Sequence, residues 1–375
     1  YNDVYRWSDV NILCCLFEYY RDFCYNEFGI DPAYSQTLPK FGKEANYIVQ
    51  IRNELQPVEL LGPEQKDLYL TLQESITGGY SGCGVRRAES SEKKALIYID
   101  QSGLYNGAMG YLMPVKYEKT ITENTIDFYK SFNQVESKVL IIEAEIDYYN
   151  TGLLPGASVP SEDPSAPRHY LNLDKFNQIK HRFRNYPPFP TNMKINKAEL
   201  SDYQLEMGEP GNSKKLVMSF KKKTIVTDYR LLKFFTDLDA VRILSIKAIH
   251  QFKGDYILKS FVHAWRDIRK RALEEGRKAD GDQAKLLSNS QYGKSLESKI
   301  RASQCEFIDA TNTKAVLRMN NSPFFKDRMI LSDDTALYQM TPKKLFLNVP
   351  IFIGHTILSI SKLIMNKMIH YQIYT

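Results

Sequence analysis

Two short apolar runs, ALIYI at 95–99 and KVLIIEAEIDYY at 138–149, constrain the fold most, because both are strand-length in a chain whose other apolar residues recur at helical spacing. A chain that mixes the two periods must pack helices against a sheet, so the expected class is α+β. With 375 residues it exceeds one ordinary core, and two or three lobes sharing interfaces are expected. Its most apolar stretch, Leu345 to Ile373, is interrupted by His355, Lys362, Lys367 and His370. No run reaches the roughly 18 uncharged residues that a membrane span needs, and no membrane association is expected. The five cysteines (Cys14, Cys15, Cys24, Cys83, Cys305) show no CxxC spacing, which disfavours structural zinc and a secreted disulfide framework. A reducing, intracellular compartment fits best.

The net charge is +6, but residues 201–300 alone hold 20 Lys and Arg against 13 Asp and Glu, so the rest of the chain is slightly acidic. A basic lobe beside a near-neutral one suits a polyanionic partner, since each neutralised phosphate releases counterions. A solvated lysine-rich surface carries the same charge.

Along the chain, the spacing predicts a helix from about Asp3 to Phe28, closed by Gly29, and mainly helical structure over 36–75. ALIYI then reads as a buried strand with Asp100 at its end, and KVLIIEAEIDYY as another strand. Residues 151–168, rich in Pro, Ser and Gly, read as an exposed loop. Two short β runs and a helix follow between Lys214 and Leu238, and residues 255–300 read as helical, with Gly281 and Asp282 threatening a break. The segment from Lys343 onward reads as a strand, a turn over 350–354 and an amphipathic helix. The opening YNDVYRWSDV has neither the basic start nor the apolar core of a secretory signal, and the natural N-terminus is expected to lie upstream of Tyr1.

Two segments carry chemistry. In IYIDQSGLYNGAM, residues 97–109, an aspartate, a glycine-containing turn and Leu104-Tyr105 offer a carboxylate and several backbone N–H groups at one point, which suits a magnesium ion and a triphosphate. An aspartate opening a turn serves structure just as readily. In KLLSNSQYGKSLES, residues 285–298, helical spacing sets Lys285, Asn289 and Tyr292 on one face, a cation, an amide and a ring that could hold a nucleotide. Gly293 would let another backbone approach closely. Arg271 and Lys278 precede Lys285 at seven-residue steps and would extend the cationic stripe if the helix continued; a solvated helix shows the same pattern.

Taken together and in this order, the two segments resemble motifs A and B of family B DNA polymerases, the second in its KxxxNSxYG form. The wide spacing between them resembles that of protein-primed members, above all those of Maverick/Polinton transposons and related viruses and linear plasmids. The resemblance extends to TGGYSG (77–82), the EAEIDYY run, RNYPPFPTNMKI (184–195), LSDYQ (200–204), VTDYRLLKFF, and PIFIGHTILSISKLIM (350–365), which is similar to the palm helix before motif C. YRWSD, Tyr5 to Asp9, is similar to the YxxxD motif of the 3′–5′ exonuclease. Motif A departs from the family at Gly103 and Asn106, and no DTDS-like motif C is present; the SDD at Ser332 to Asp334 reads as a turn.

The resemblance implies a DNA-directed DNA polymerase that adds deoxynucleotides to a 3′-hydroxyl with two Mg²⁺ ions. Its partners would be primer-template DNA, deoxynucleoside triphosphates and a terminal protein that serves as primer. Asp100 would bind the metal, Leu104 and Tyr105 would line the nucleotide pocket, and Tyr105 would reject a 2′-hydroxyl. Lys285, with Lys278 and Arg271 behind it, would neutralise the triphosphate, and Asn289, Tyr292 and Gly293 would contact the nucleotide. Gly78, Gly79, Tyr80 and Lys294 would touch DNA, and Tyr5 and Asp9 would belong to the exonuclease site. The implied organisation is an exonuclease remnant and linker (1–75), palm with motif A (76–125), an inserted terminal-protein-contacting segment and palm (126–230), helical fingers with motif B (231–300), and palm ending before motif C (301–375). Such a fragment would be inactive alone and would leave Ile357, Leu358, Ile360, Leu363 and Ile364 partly exposed. A non-catalytic nucleic-acid-binding remnant of a mobile element is the other reading; a nuclear location follows only from the transposon-like resemblance.

Overall fold

The computed structural model describes residues 1–79, 89–92, 95, 96, 98, 100–133, 137–148, 188–194, 196, 198, 202–207, 214–217, 222–299 and 303–369. Tyr80, the proline-rich loop, residues 200 and 201 of LSDYQ, and residues 184–187 and 195 of RNYPPFPTNMKI lie outside them.

The expected α+β class is what the chain adopts: helices packed on antiparallel sheets. The helices are α1 (Asn2–Phe28), α2 (Leu38–Arg52), α3 (Lys66–Glu74), α4 (Leu104–Met109), α5 (Thr125–Ser131), α6 (Asp202–Glu206), α7 (Tyr229–Asp237), α8 (Lys259–Glu274), α9 (Lys278–Ser295), α10 (Thr313–Asn320) and α11 (Ile351–Lys367). The strands are β1 (Met113–Ile121), β2 (Lys138–Asp147), β3 (Thr191–Lys194), β4 (Lys214–Val217), β5 (Lys223–Asp228), β6 (Arg242–Asp255), β7 (Gln304–Asp309), β8 (Phe325–Ile330) and β9 (Thr335–Met340).

The central sheet runs β1-β6-β2-β5, antiparallel throughout, with Ile141 of β2 opposite His250 of β6 and Asp228 of β5. The near-continuous apolar run of β2 fits its place inside the sheet, buried along almost its whole length. Asp228 ends β5 and caps α7, its carboxylate accepting from the Arg230 amide at 2.8 Å while the Arg230 guanidinium pairs with it. α11 lies on this sheet; Phe352 stacks on Phe252 of β6 with centroids 5.2 Å apart. A second core joins the C-terminal half of α1 to α2, α8 and α9 through Phe28, Phe41, Trp265 and Leu287. A third, small core lies between α10 and the β7-β9-β8 sheet, around Met319 and Tyr338.

Four expectations need correction. The described residues of the 95–100 run are not in a strand: neither edge of the central sheet pairs with them, and Leu96 and Tyr98 are 57% and 91% exposed. An apolar run without a ladder partner has nothing to hold it extended and covered. Residues 255–300 do hold the helices expected there, α8 and α9, with β6, the longest strand described, ending at Asp255. The helical break comes at Gly276, whose φ is +73°, and not at Gly281, which is buried in the first turn of α9. In the last segment, residues 345–348 are not a strand, and the helix begins at Ile351, directly after Pro350. α11 is not amphipathic either: Ile357, Leu358, Ile360 and Leu363 are buried and only Ile364 is half-exposed, because α3, α4, α7, α9, β1 and β5 surround it.

Candidate nucleotide and nucleic-acid site

The turn before α4 places its side chains. Gly103 caps the helix at φ 65° in the left-handed region, where a residue with a Cβ is disfavoured by about 1 kcal/mol or more. Gly103, a departure from the family pattern, therefore suits this backbone. Tyr105, in the first turn of α4, stacks on Tyr292 of α9 with centroids 4.1 Å apart and planes inclined by 16°. Burial, with the neighbouring Tyr292 phenol, raises the Tyr105 pKa above its ordinary value. The second departure, Asn106, joins the same two helices: its Oδ1 accepts from Ser288 Oγ at 2.7 Å. Ser288 was not singled out from the sequence, although it lies one helical turn before Tyr292 and so on the same face.

Around this contact, Leu104, Asn289 and Tyr292 are half-buried, and Gly293 is exposed with open space above its Cα. Lys278 and Lys285 are exposed on α9 and make no ion pair among the described residues. Lys294 pairs with Glu297 at 2.9 Å. Arg271 belongs to α8, across the Gly276 break, and pairs with Glu27 at 2.5 Å, so it does not continue the stripe of Lys278 and Lys285. Gly79 abuts Tyr105, and Gly78 is exposed. Tyr5 and Asp9 sit on the exposed N-terminal half of α1, away from the α4–α9 contact.

The acids have mostly found partners. Asp100 is exposed. Glu143 of β2 lies 2.9 Å from His250 Nε2 and 3.2 Å from Lys247 Nζ, and the His250 hydrogen bond holds its carboxyl below the usual range. Glu145 pairs with Lys222 and Asp147 with Arg242. No group of three His, Cys, Asp or Glu side chains that could hold a metal ion occurs among the described residues. A magnesium ion needs near-octahedral oxygen ligands, and these residues do not supply them at Asp100.

No family model matches the sequence, and no curated protein matches it. Solved structures of phi29 DNA polymerase do. The complex with primer-template DNA in its post-translocation binary form is 12% identical with a TM-score of 0.46, covering 87% of this chain and 43% of that one. The ternary complex with incoming nucleotide substrates is 13% identical with a TM-score of 0.42, covering 89% and 46%. The chain thus spans less than half the length of the polymerase chains it matches. Among the described residues no helix is long and apolar enough to cross a membrane.

Proposed function

We propose that this chain carries the palm and fingers of a protein-primed family B DNA-directed DNA polymerase of the transposon, viral or linear-plasmid type. The observation that carries the reading is the union of α4 and α9, by the Tyr105–Tyr292 stack and the Ser288–Asn106 hydrogen bond, across 182 residues of sequence between the latter pair. The motif resemblance requires that these two segments meet at one site.

In this reading the paired tyrosines form the floor under the sugar and base of an incoming deoxynucleotide. Lys285, free of carboxylate partners among the described residues, meets the triphosphate as a mobile cation. Asn289 contacts the nucleotide, and Gly78, Gly79 and Lys294 face primer-template DNA. The terminal protein is assigned to the segment between motifs A and B, and Tyr5 and Asp9 to exonuclease action. Asp100, the metal ligand in this reading, is not joined by two further His, Cys, Asp or Glu side chains among the described residues.

A second reading, nucleic-acid binding without chemistry, draws on the pairing of Glu143, Glu145 and Asp147 with basic neighbours, which withholds the acids of β2. Titrating the chain with labelled primer-template and then with deoxynucleoside triphosphates, by fluorescence anisotropy, tests both. Nucleotide-dependent tightening of the DNA complex supports the polymerase reading; DNA binding indifferent to nucleotide supports the second; no DNA binding defeats both.

A further inference from the structure

Lys362 lies in the middle of α11 and is only 7% exposed. Its Nζ donates to the carbonyl oxygen of Thr77 at 3.0 Å and to the Thr77 hydroxyl, and it makes no ion pair among the described residues. An ammonium group in such surroundings is costly unless its protons are bonded, so this anchor is a demanding one to build. The residue before is held as well, because Asn192 Nδ2 donates to the Ile76 carbonyl at 3.0 Å. Two residues beyond Thr77, a Cβ on Gly79 would come within 2.8 Å of the Tyr105 hydroxyl oxygen, so any side chain there would displace the phenol or the segment that lies against it. Tyr105 in turn stacks on Tyr292.

We propose that Lys362 is a positioning residue for the nucleotide platform: by fixing Thr77 it holds the 77–79 segment against the Tyr105 hydroxyl and so sets the ring that a nucleotide would rest on. The inference deepens the polymerase reading and rests on it for the identity of the ligand, but the mechanical link from Lys362 to Tyr105 can be measured without any ligand. A lysine that merely tied residue 77 to α11 would leave Tyr105 unaffected.

The test uses the 375-residue chain and its Lys362→Met, Thr77→Val and Gly79→Ala variants. Hydrogen exchange over 104–109 is expected to rise roughly tenfold in Lys362→Met, the scale set by losing a hydrogen bond to a charged group. Exchange in β2 and β6 should stay unchanged. Thr77→Val should loosen 104–109 in the same direction, and the double variant should add little to Lys362→Met, because both remove one contact. Unchanged exchange over 104–109, or additive effects, would overturn the proposal. Should Lys362→Met unfold the sheet, Thr77→Val and Gly79→Ala decide: both must disturb 104–109 with β2 and β6 intact, or the link does not exist. Deoxynucleotide affinity on primer-template supplies the functional arm. Lys362→Met should weaken it roughly tenfold in the parent chain and not at all in a Tyr105→Ala background; an equal fall in both backgrounds overturns the positioning role. A parent chain that binds no nucleotide would defeat the polymerase reading while leaving the exchange result to judge the link by itself.

Discussion

Tyr105 and Tyr292 lie ring on ring, 4.1 Å between centroids, and this contact holds the six-residue helix α4, itself packed on α11, against the long helix α9 of the basic segment. Stacked aromatic pairs contribute about 0.5–1.5 kcal/mol beyond the area they bury. The pair is thus a structural joint between two half-buried rings.

Tyr105→Ala should therefore do two separable things. The α4–α9 joint should weaken by roughly 1–2 kcal/mol, read from urea unfolding. Discrimination between deoxyribo- and ribonucleoside triphosphates, measured as a ratio of affinities on primer-template, should shrink because the steric barrier beneath the sugar is gone. A variant that keeps the parent ratio would remove Tyr105 from the sugar site.

Lys285 and Arg271 give a paired prediction, because the sequence set them on one stripe and the structure separates them. Lys285→Ala should weaken nucleotide binding roughly tenfold and DNA binding much less, as expected for a charge that meets triphosphate rather than template. Arg271→Ala should leave nucleotide binding unchanged and cost stability by only about 0.2–1 kcal/mol, since Arg271 is exposed and its pair with the half-buried Glu27 is screened by solvent. DNA binding by the parent should fall steeply with salt. Equal effects of the two variants on nucleotide affinity would restore the single stripe and contradict the break at Gly276.

The legible part of the fold was the part set by local rules. The end of α1 at Gly29, the strand β2 and the β5–α7 junction follow from a left-handed cap, an apolar run and an aspartate that caps a helix. β6 was hidden because His250, Gln251, Lys253 and Gly254 interrupt its apolar residues, and its pairing with both β1 and β2 is a tertiary fact. β1 was hidden by Pro114, which is tolerated there because β1 is an edge strand. The run ALIYI reads as a strand by the same local rule, yet its described residues meet no ladder partner. At the site, Tyr105 and Tyr292 were readable, whereas Lys362 could have been found only as a lone cation in an apolar helix, and its partner Thr77 was not inferable from spacing.

Burial lowers the Lys362 pKa from 10.5 to about 8. The sign follows from proton counting: between those two values the unfolded chain binds more protons than the folded one, so stability rises with pH across that window and is lost again as pH falls through 8. Lys362→Met removes the group from both states. The parent should gain on the order of 2 kcal/mol relative to the variant between pH 7 and pH 10, measured by urea unfolding at each pH. Lys223, also lowered to about 8 by burial, is present in both proteins and cancels in the comparison. A difference that does not change with pH would mean that Lys362 is solvated in the folded chain.

As a unit, the 375 residues should bind primer-template DNA without extending it. Two-metal phosphoryl transfer requires several carboxylates converging on one point. Here Asp100 is exposed, Glu143 is held by His250 and Lys247, and Glu145 and Asp147 face Lys222 and Arg242. Releasing Glu143 to a metal would break two polar contacts in a buried place, and leaving His250 without its partner there would add the cost of an unsatisfied group, about 1–3 kcal/mol. Primer extension with Mg²⁺ and with Mn²⁺ is the measurement, run beside Asp100→Ala and Glu143→Gln. Robust extension abolished by Asp100→Ala alone would place a complete metal site at Asp100, with its other ligands outside the acids of β2. Extension abolished by both variants would mean that Glu143 leaves His250 to join Asp100, and the central sheet would then have to rearrange on binding DNA.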